Sequence, residues 1–252
     1  MSARAYRTEA VVLRSLRLGE ADCVLHLYTL ARGRVGAVAK GVRKTRSRFG
    51  GRLEPLSLVE LSLHQGSGEL QTVTGADLIR SHRRAREDPY RLHVGLIGME
   101  AMLRLFSEQE ANARAFEALT RFLDVLETDT TDVAERARRP ALDPLALSFQ
   151  LKLLWLSGYL PHLGSCAECG ADGPLAAYSP RAGGAVCRSC AVDGALVLTV
   201  EGIRAMEALL RRPLAEAVDL GLSDRAARDC LAVISSSYEY HGGFRLRTLA
   251  AG

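Results

Sequence analysis

Six cysteines are the residues best suited to chemistry in this chain of 252. Four of them form two pairs, Cys166-Ala-Glu-Cys169 and Cys187-Arg-Ser-Cys190, with seventeen residues between the pairs. One C-x-x-C turn can present two thiolates, and two such turns complete a tetrahedral all-sulfur site. Gly170, Gly173, Gly183 and Gly184 fit the turns of a small ribbon around that site. Ligation by four soft thiolates favours Zn²⁺, although iron occupies similar sites. Four protein ligands leave no coordination position open. The expectation is therefore one structural zinc ion on Cys166, Cys169, Cys187 and Cys190. Disulfides or four unrelated buried thiols are the competing readings, and a reducing compartment argues against the first. Cys23 and Cys230 sit in periodic apolar segments and read as small core residues. His162 is an alternative ligand close to the first pair.

A catalytic reading of the same cysteines is weak. Zinc deaminases pair a His/Cys-x-Glu segment with Pro-Cys-x-x-Cys. Here Val186 stands where that proline belongs, and Cys169 would fill the position that activates water. There is no phosphate-binding loop, dinucleotide fingerprint or HExxH, and Ser235-Ser-Ser237 has no base beside it in sequence. The chain is expected to be no enzyme and to take no small-molecule substrate.

Charge gives the second signal. The net charge is +4, but residues 1–80 hold 13 Lys+Arg against 7 Asp+Glu, while the remainder holds 20 against 22. The excess gathers in Lys40-Gly-Val-Arg-Lys-Thr-Arg-Ser-Arg-Phe-Gly-Gly-Arg52, which contains six cations and no acid. Such a run is often only a solvated loop. Three glycines that let backbone approach phosphate, and the presence of Phe49, favour nucleic-acid contact instead. Arg34, Lys40, Arg43, Lys44, Arg46, Arg48 and Arg52 are the expected DNA contacts. Arg80, His82, Arg83, Arg84 and Arg86 form a second candidate for phosphate, and Tyr6, His26 and Tyr28 are candidates for base stacking.

These residues need elements to hold them. Segments Tyr6–Arg14, Ala21–Thr29, Arg34–Val42, Leu56–His64 and Leu70–Leu78 read as five short, partly alternating strands separated by glycine-rich turns. With a basic loop between the third and fourth, a five-stranded OB-type barrel is expected, with an SH3-like barrel as the alternative. From Asp88-Pro89 the period becomes helical, with Leu92, Leu96, Met99, Leu103 and Phe106 on the expected buried face. Asn112 opens a second helix with Phe116, Leu119, Leu123 and Leu126 on one side. Residues 128–140 read as a polar loop. Asp143-Pro144 opens a third helix, apolar nearly all round, which is the mark of a bundle's central helix. Helices are also expected over Thr199–Leu210 and Ser223–Tyr238. The resulting class is multidomain α+β: a barrel over 1–80, a helical domain over 81–163 and 195–252, and a four-cysteine ribbon over 164–194. No apolar run approaches the roughly 20 residues of a membrane helix. The charged N-terminal stretch lacks a signal-peptide core, so a cytoplasmic, nucleoid-associated location is expected and no membrane partner.

The order of these parts resembles the RecO family of bacterial DNA-repair recombination mediators. The resemblance rests on Ala39-Lys-Gly-Val-Arg43, Ser47-Arg-Phe49, Leu53-Glu-Pro-Leu56, Phe149-Gln-Leu-Lys-Leu-Leu154, Gly158-Tyr-Leu-Pro-His-Leu163, Cys166-Ala-Glu-Cys-Gly170 and the tail Tyr238–Leu249. Thr248 departs from the serine expected there. The resemblance implies an N-terminal OB fold, a helical domain, and a zinc ribbon that not every member keeps. It also implies binding of single- and double-stranded DNA, annealing of complementary strands, and cooperation with RecR in loading RecA onto DNA covered by single-strand-binding protein (SSB). Contact with the acidic, apolar C-terminal tail of SSB through the helical domain is implied too, with Lys152 a candidate cation. A zinc-stabilised adaptor without its own annealing activity is the alternative function.

Overall fold

The computed structural model describes residues 5–129 and 139–250. The chain forms two compact units: Met1–Gly95 with Met102–Glu127, and Leu96–Ala101 with Thr128–Gly252.

The first unit is built on five strands: β1 (Ala5–Leu18), β2 (Asp22–Thr29), β3 (Gly33–Ala39), β4 (Leu58–His64) and β5 (Gln71–Arg80). They close a barrel in the order β1-β2-β3-β5-β4, with β4 returning to β1. All neighbours are antiparallel except β3 and β5. This is the OB-type barrel that the strand pattern predicts. Alternation puts Cys23, Leu25 and Leu27 of β2, Ala37 and Ala39 of β3, and Val59, Leu61 and Leu63 of β4 into one core. β1 reads differently because its register shifts between Val12 and Arg14, so Ala10, Val11, Val12 and Leu13 are all buried. β1 also runs four residues past the expected Arg14 to Leu18, and there it pairs with β2. Phe49 and Leu53, from the segment between β3 and β4, join the barrel core.

Helices α1 (Arg83–Glu87), α2 (Pro89–Leu105) and α3 (Ala113–Thr128) follow. Asp88 caps α2 by accepting from the Arg91 amide at 2.9 Å, and Pro89 occupies the first turn, where an N–H has no helical partner. Asn112 caps α3 through the Ala115 amide at 3.0 Å. The α3 face is as expected: Phe116, Leu119, Leu123 and Leu126 are buried. The α2 face is so only in part. Met99 and Phe106 are buried as expected and Leu92 and Leu103 half-buried, but Leu96 is 38% exposed, and Val94, Ile97, Ala101 and Met102 are buried instead. Apolar residues surround α2, so periodicity alone could not choose its buried side.

The second unit centres on α4 (Pro144–Leu156), which packs against α5 (Val200–Arg211), α6 (Leu214–Ala217) and α7 (Asp224–Ser237). The Asp143 carboxylate accepts from the amides of Leu145 and Ala146, which starts α4. Nine of its thirteen residues are buried, as its all-round apolar sequence predicts, although Trp155 is 54% exposed. Thr199 and Ser223 cap α5 and α7. A three-stranded sheet, β7 (Gly184–Cys187), β6 (Leu175–Ser179) and β8 (Leu196–Val197) in that order, carries the cysteine pairs. A π-helical turn, Tyr238–Gly242, and α8 (Arg247–Ala250) end the chain's secondary structure. Of the expected polar loop, residues 130–138 lie outside the described residues. Among the described residues no helix is long and apolar enough to cross a membrane.

Candidate metal centre and nucleic-acid interface

The four paired cysteines converge. The Sγ atoms of Cys166, Cys169, Cys187 and Cys190 all lie within 4.8 Å of one another, with Cys169 and Cys187 4.0 Å apart. A tetrahedral zinc site with bonds of about 2.3 Å has sulfur–sulfur edges of about 3.8 Å, so the donor set fits such an ion. Backbone geometry prepares the site. The first C-x-x-C turn closes through Gly170 N–H to Cys166 C=O at 2.8 Å, with Gly170 at φ +73°, a value that favours glycine. The second closes through the Cys190 and Ala191 amides onto the Cys187 carbonyl. The Cys187 amide donates to Cys166 Sγ at 3.3 Å. Amide donors from Cys169 and Cys187 hold the Cys166 thiol down at about 6. Cys190 is pushed up to about 12 by the other sulfurs crowded around it. Thiols this close resist ionising together, and a divalent cation removes that resistance. The four cysteines can therefore hold a metal ion.

His162 is not among them. Its Nε2 accepts from the Ser165 amide and lies 2.8 Å from Ser165 Oγ. Glu168, the acid a deaminase would use, lies 4.0 Å from Arg181. Cys23 and Cys230 are buried, as expected of core residues.

In the first unit the basic segment runs across one end of the barrel. It is pinned to the β1–β2 turn by Arg43 N–H to Ala21 C=O at 2.9 Å and by Gly41 N–H to Asp22 Oδ1 at 2.7 Å. It reaches β5 through Arg48 Nη2 to Val73 C=O and Arg52 Nη1 to Ala76 C=O, each 3.4 Å. Lys40, Arg43, Lys44, Arg46, Arg48 and Arg52 are all exposed, and none pairs with a carboxylate among the described residues. Arg17, outside the dense basic run in sequence, is exposed beside the same turn and likewise has no carboxylate partner among the described residues.

Arg34 does not belong with these six. Its guanidinium donates to the Leu103 carbonyl and pairs with Glu108 at 3.3 Å, so it secures the fold around the barrel. The second arginine cluster is largely neutralised. Arg80 pairs with Asp124, Arg83 with Glu87 at 2.6 Å, and Arg86 with Glu54 at 3.2 Å. His82 is buried between the Leu56 carbonyl and Asp124.

Two of the aromatic expectations change as well. Phe49 is 1% exposed and plugs the barrel, and Tyr28 is fully buried against Phe106, so neither ring can receive a base. Tyr6 is half-buried, its hydroxyl donating to Gln71 at 2.9 Å and its ring covered by Arg32 at 4.0 Å. His26 is half-buried on the outer face, and burial lowers its pKa.

Lys152 is committed in part. Its ammonium donates to the carbonyls of Leu209 and Leu210 at 2.8 and 2.9 Å, at the C-terminal end of α5, and burial lowers its pKa. Leu210 also lines a surface pocket with Leu160, Pro161, Leu163 and Arg211.

Residues 1–82 match the family model described as Recombination protein O N terminal, and residues 86–250 match Recombination protein O C terminal. A DNA repair protein RecO of Rubrobacter xylanophilus is 44% identical over 190 residues, covering 75% of this chain and 72% of its own. One of Frankia casuarinae is 39% identical over 97% of this chain and 96% of its own, and one of Thermobifida fusca 35% identical over 94% and 93%. A basic OB-type barrel, a helical unit and a four-cysteine sheet thus stand in a chain that belongs to the RecO family of DNA-repair proteins.

Proposed function

We propose that this chain is a recombination mediator that binds single- and double-stranded DNA, anneals complementary strands, and works with RecR to load RecA onto SSB-coated DNA. One observation carries the DNA-binding reading: six exposed cations follow one path across the barrel end without a carboxylate partner among the described residues. Annealing requires no covalent step. Two strands repel through their phosphates, and a cationic surface lowers that repulsion while base edges stay free to pair. Contacts to phosphate carry no sequence information, so binding is sequence-tolerant. Arg34 supports the surface by holding the barrel rather than by touching DNA.

The metal is Zn²⁺ in a structural role, since four thiolates complete its coordination and leave no position for substrate. Sites of this kind contribute about 10–16 kcal/mol to folding of their local unit. The cysteine-bearing segment 164–194 is read as an insertion in the helical domain formed by 81–163 and 195–252, beside an OB domain over 1–80. The helical domain receives the acidic, apolar tail of SSB. An apolar pocket at Leu160, Leu163 and Leu210 supports this, with one remaining N–H of Lys152 as a cation for a carboxylate; Arg211 at the pocket pairs with Glu207 at 3.7 Å. No step of the scheme is catalytic, and the reading places the chain in the cytoplasm with the nucleoid.

A strand-annealing assay with and without SSB, run beside metal analysis of the same preparation, tests the reading. Accelerated annealing that charge reversal of Arg43, Lys44 and Arg46 abolishes is the expected result. Unchanged annealing in that variant would favour the adaptor reading.

A further inference from the structure

Within the basic segment Arg43, Arg48 and Arg52 each donate to a backbone carbonyl, and of the three only Arg48 also lies over an aromatic ring among the described residues. Lys40, Lys44 and Arg46 make no side-chain hydrogen bond or ion pair among the described residues. Arg48 is held on two sides. Its guanidinium lies over the Phe49 ring, 4.7 Å from the centroid, and its Nη2 donates to the Val73 carbonyl at 3.4 Å. Phe49 itself is 1% exposed and belongs to the barrel core, so the ring beneath Arg48 is anchored in the barrel. Arg48 remains exposed. Gly50 and Gly51 follow directly, both exposed, and bring no side chain that could shield the stack.

A guanidinium is planar and has two faces. The Phe49 ring lies beneath the Arg48 guanidinium, and Arg48 remains exposed. A guanidinium plane of this kind stacks on a nucleobase, and prior fixation reduces the ordering cost of doing so. In a duplex the faces of each base are covered by its neighbours, whereas an unpaired strand can turn a base face outward. We propose that Arg48, backed by Phe49, is a stacking platform for an unpaired base, which gives the basic segment a preference for single strands. The proposal deepens the DNA-binding reading above and rests on it. Phosphate contact by the other cations acts on both strand forms, somewhat more strongly on the denser charge of a duplex, and Arg48 adds affinity for the unpaired one. A base stacked by its face still offers its pairing edge, so the platform is compatible with annealing.

The test compares Arg48→Lys with Arg46→Lys, both keeping the charge. Affinity is measured at one fixed salt concentration for a labelled mixed-sequence single strand without self-complementarity and for a blunt duplex of equal length. Arg48→Lys is expected to weaken single-strand binding about 5- to 10-fold and duplex binding less than about two-fold. Arg46→Lys is expected to change either by less than about two-fold. Phe49→Leu keeps an apolar plug but removes the ring, and should reproduce the selective loss in protein whose melting temperature shows it folded. Equal losses on both strand forms in Arg48→Lys, or none on either, would overturn the stacking role and leave DNA binding standing. Wild-type protein that bound neither strand form would overturn the DNA-binding reading itself.

Discussion

Tyr178 on β6, in the sheet that carries the cysteine pairs, lies 2.7 Å from Ser237 on α7, hydroxyl to hydroxyl. Ser237 Oγ donates to the Val233 carbonyl, so the Tyr178 phenol is the donor between them. Both residues are buried, at 1% and 0% exposure. Next to them the Tyr238 hydroxyl donates to Gln150 on α4. The cysteine-bearing sheet therefore reaches the core of the helical unit. Tyr178→Phe is expected to cost about 1 kcal/mol, seen as a melting temperature lower by about 2–4 °C. Chelation of the metal should also lower the melting temperature. Combining the two should give less than the sum of the separate losses, because both loosen the same contact. Strict additivity would show that the metal and Tyr178 act independently.

Metal affinity should rise with pH. Within the cluster Cys166 is held down at about 6 and Cys190 is pushed up to about 12, so the four close thiols still carry protons near neutrality. A metal must displace those protons, and more of them below pH about 6. Competition against a chromophoric chelator should thus show tighter binding at pH 8 than at pH 7, and a further loss below pH 6. A pH-independent affinity would remove the thiolates from the coordination sphere.

DNA affinity should fall with salt. If about five of the six free cations contact phosphate, log K falls against log salt with a slope of roughly −3.5 to −4.5. Replacing Lys44 or Arg46 with Gln should reduce the slope by slightly less than one unit each. Arg34→Gln should leave the slope unchanged and instead lower stability by about 1–3 kcal/mol, because Leu103 C=O and Glu108 lose their donor. Salt titrations and denaturant melts of the same variants measure the two effects separately.

Gly33→Ala tests the packing of the barrel against the segment that joins α2 to α3. Gly33 sits at φ +63°, and a Cβ built there would meet the Glu110 carbonyl oxygen at 1.9 Å. The left-handed backbone and the clash together should cost about 2–4 kcal/mol. Urea unfolding would show it as a lower midpoint with little change in slope. Gly19 has a similar φ but open space around it, so Gly19→Ala should cost about 1–2 kcal/mol.

Much of this molecule was legible from residue order because the physics that sets it is local. The strand alternation at Cys23, Leu25 and Leu27, the Asp-Pro helix starts at Asp88 and Asp143, and the two C-x-x-C turns each depend on a few neighbouring residues. Charge density along residues 40–52 is local too. What became of each charge and ring was not. Arg34 meets Glu108 from 74 positions away, and Arg80 meets Asp124 from 44, so two expected cations are neutralised by acids that no short window contains. Phe49 looked like part of the DNA-contacting loop because it sits among cations, yet closure of the barrel draws it inside. Tyr28 lies on the outer side of its strand but is covered by Phe106, a residue just past the end of α2 and remote in sequence. Chain order determined the elements, the two cysteine pairs that converge, and where positive charge is dense. Tertiary packing decided which cations stay free, because burial and ion pairing are set by groups that only folding brings together.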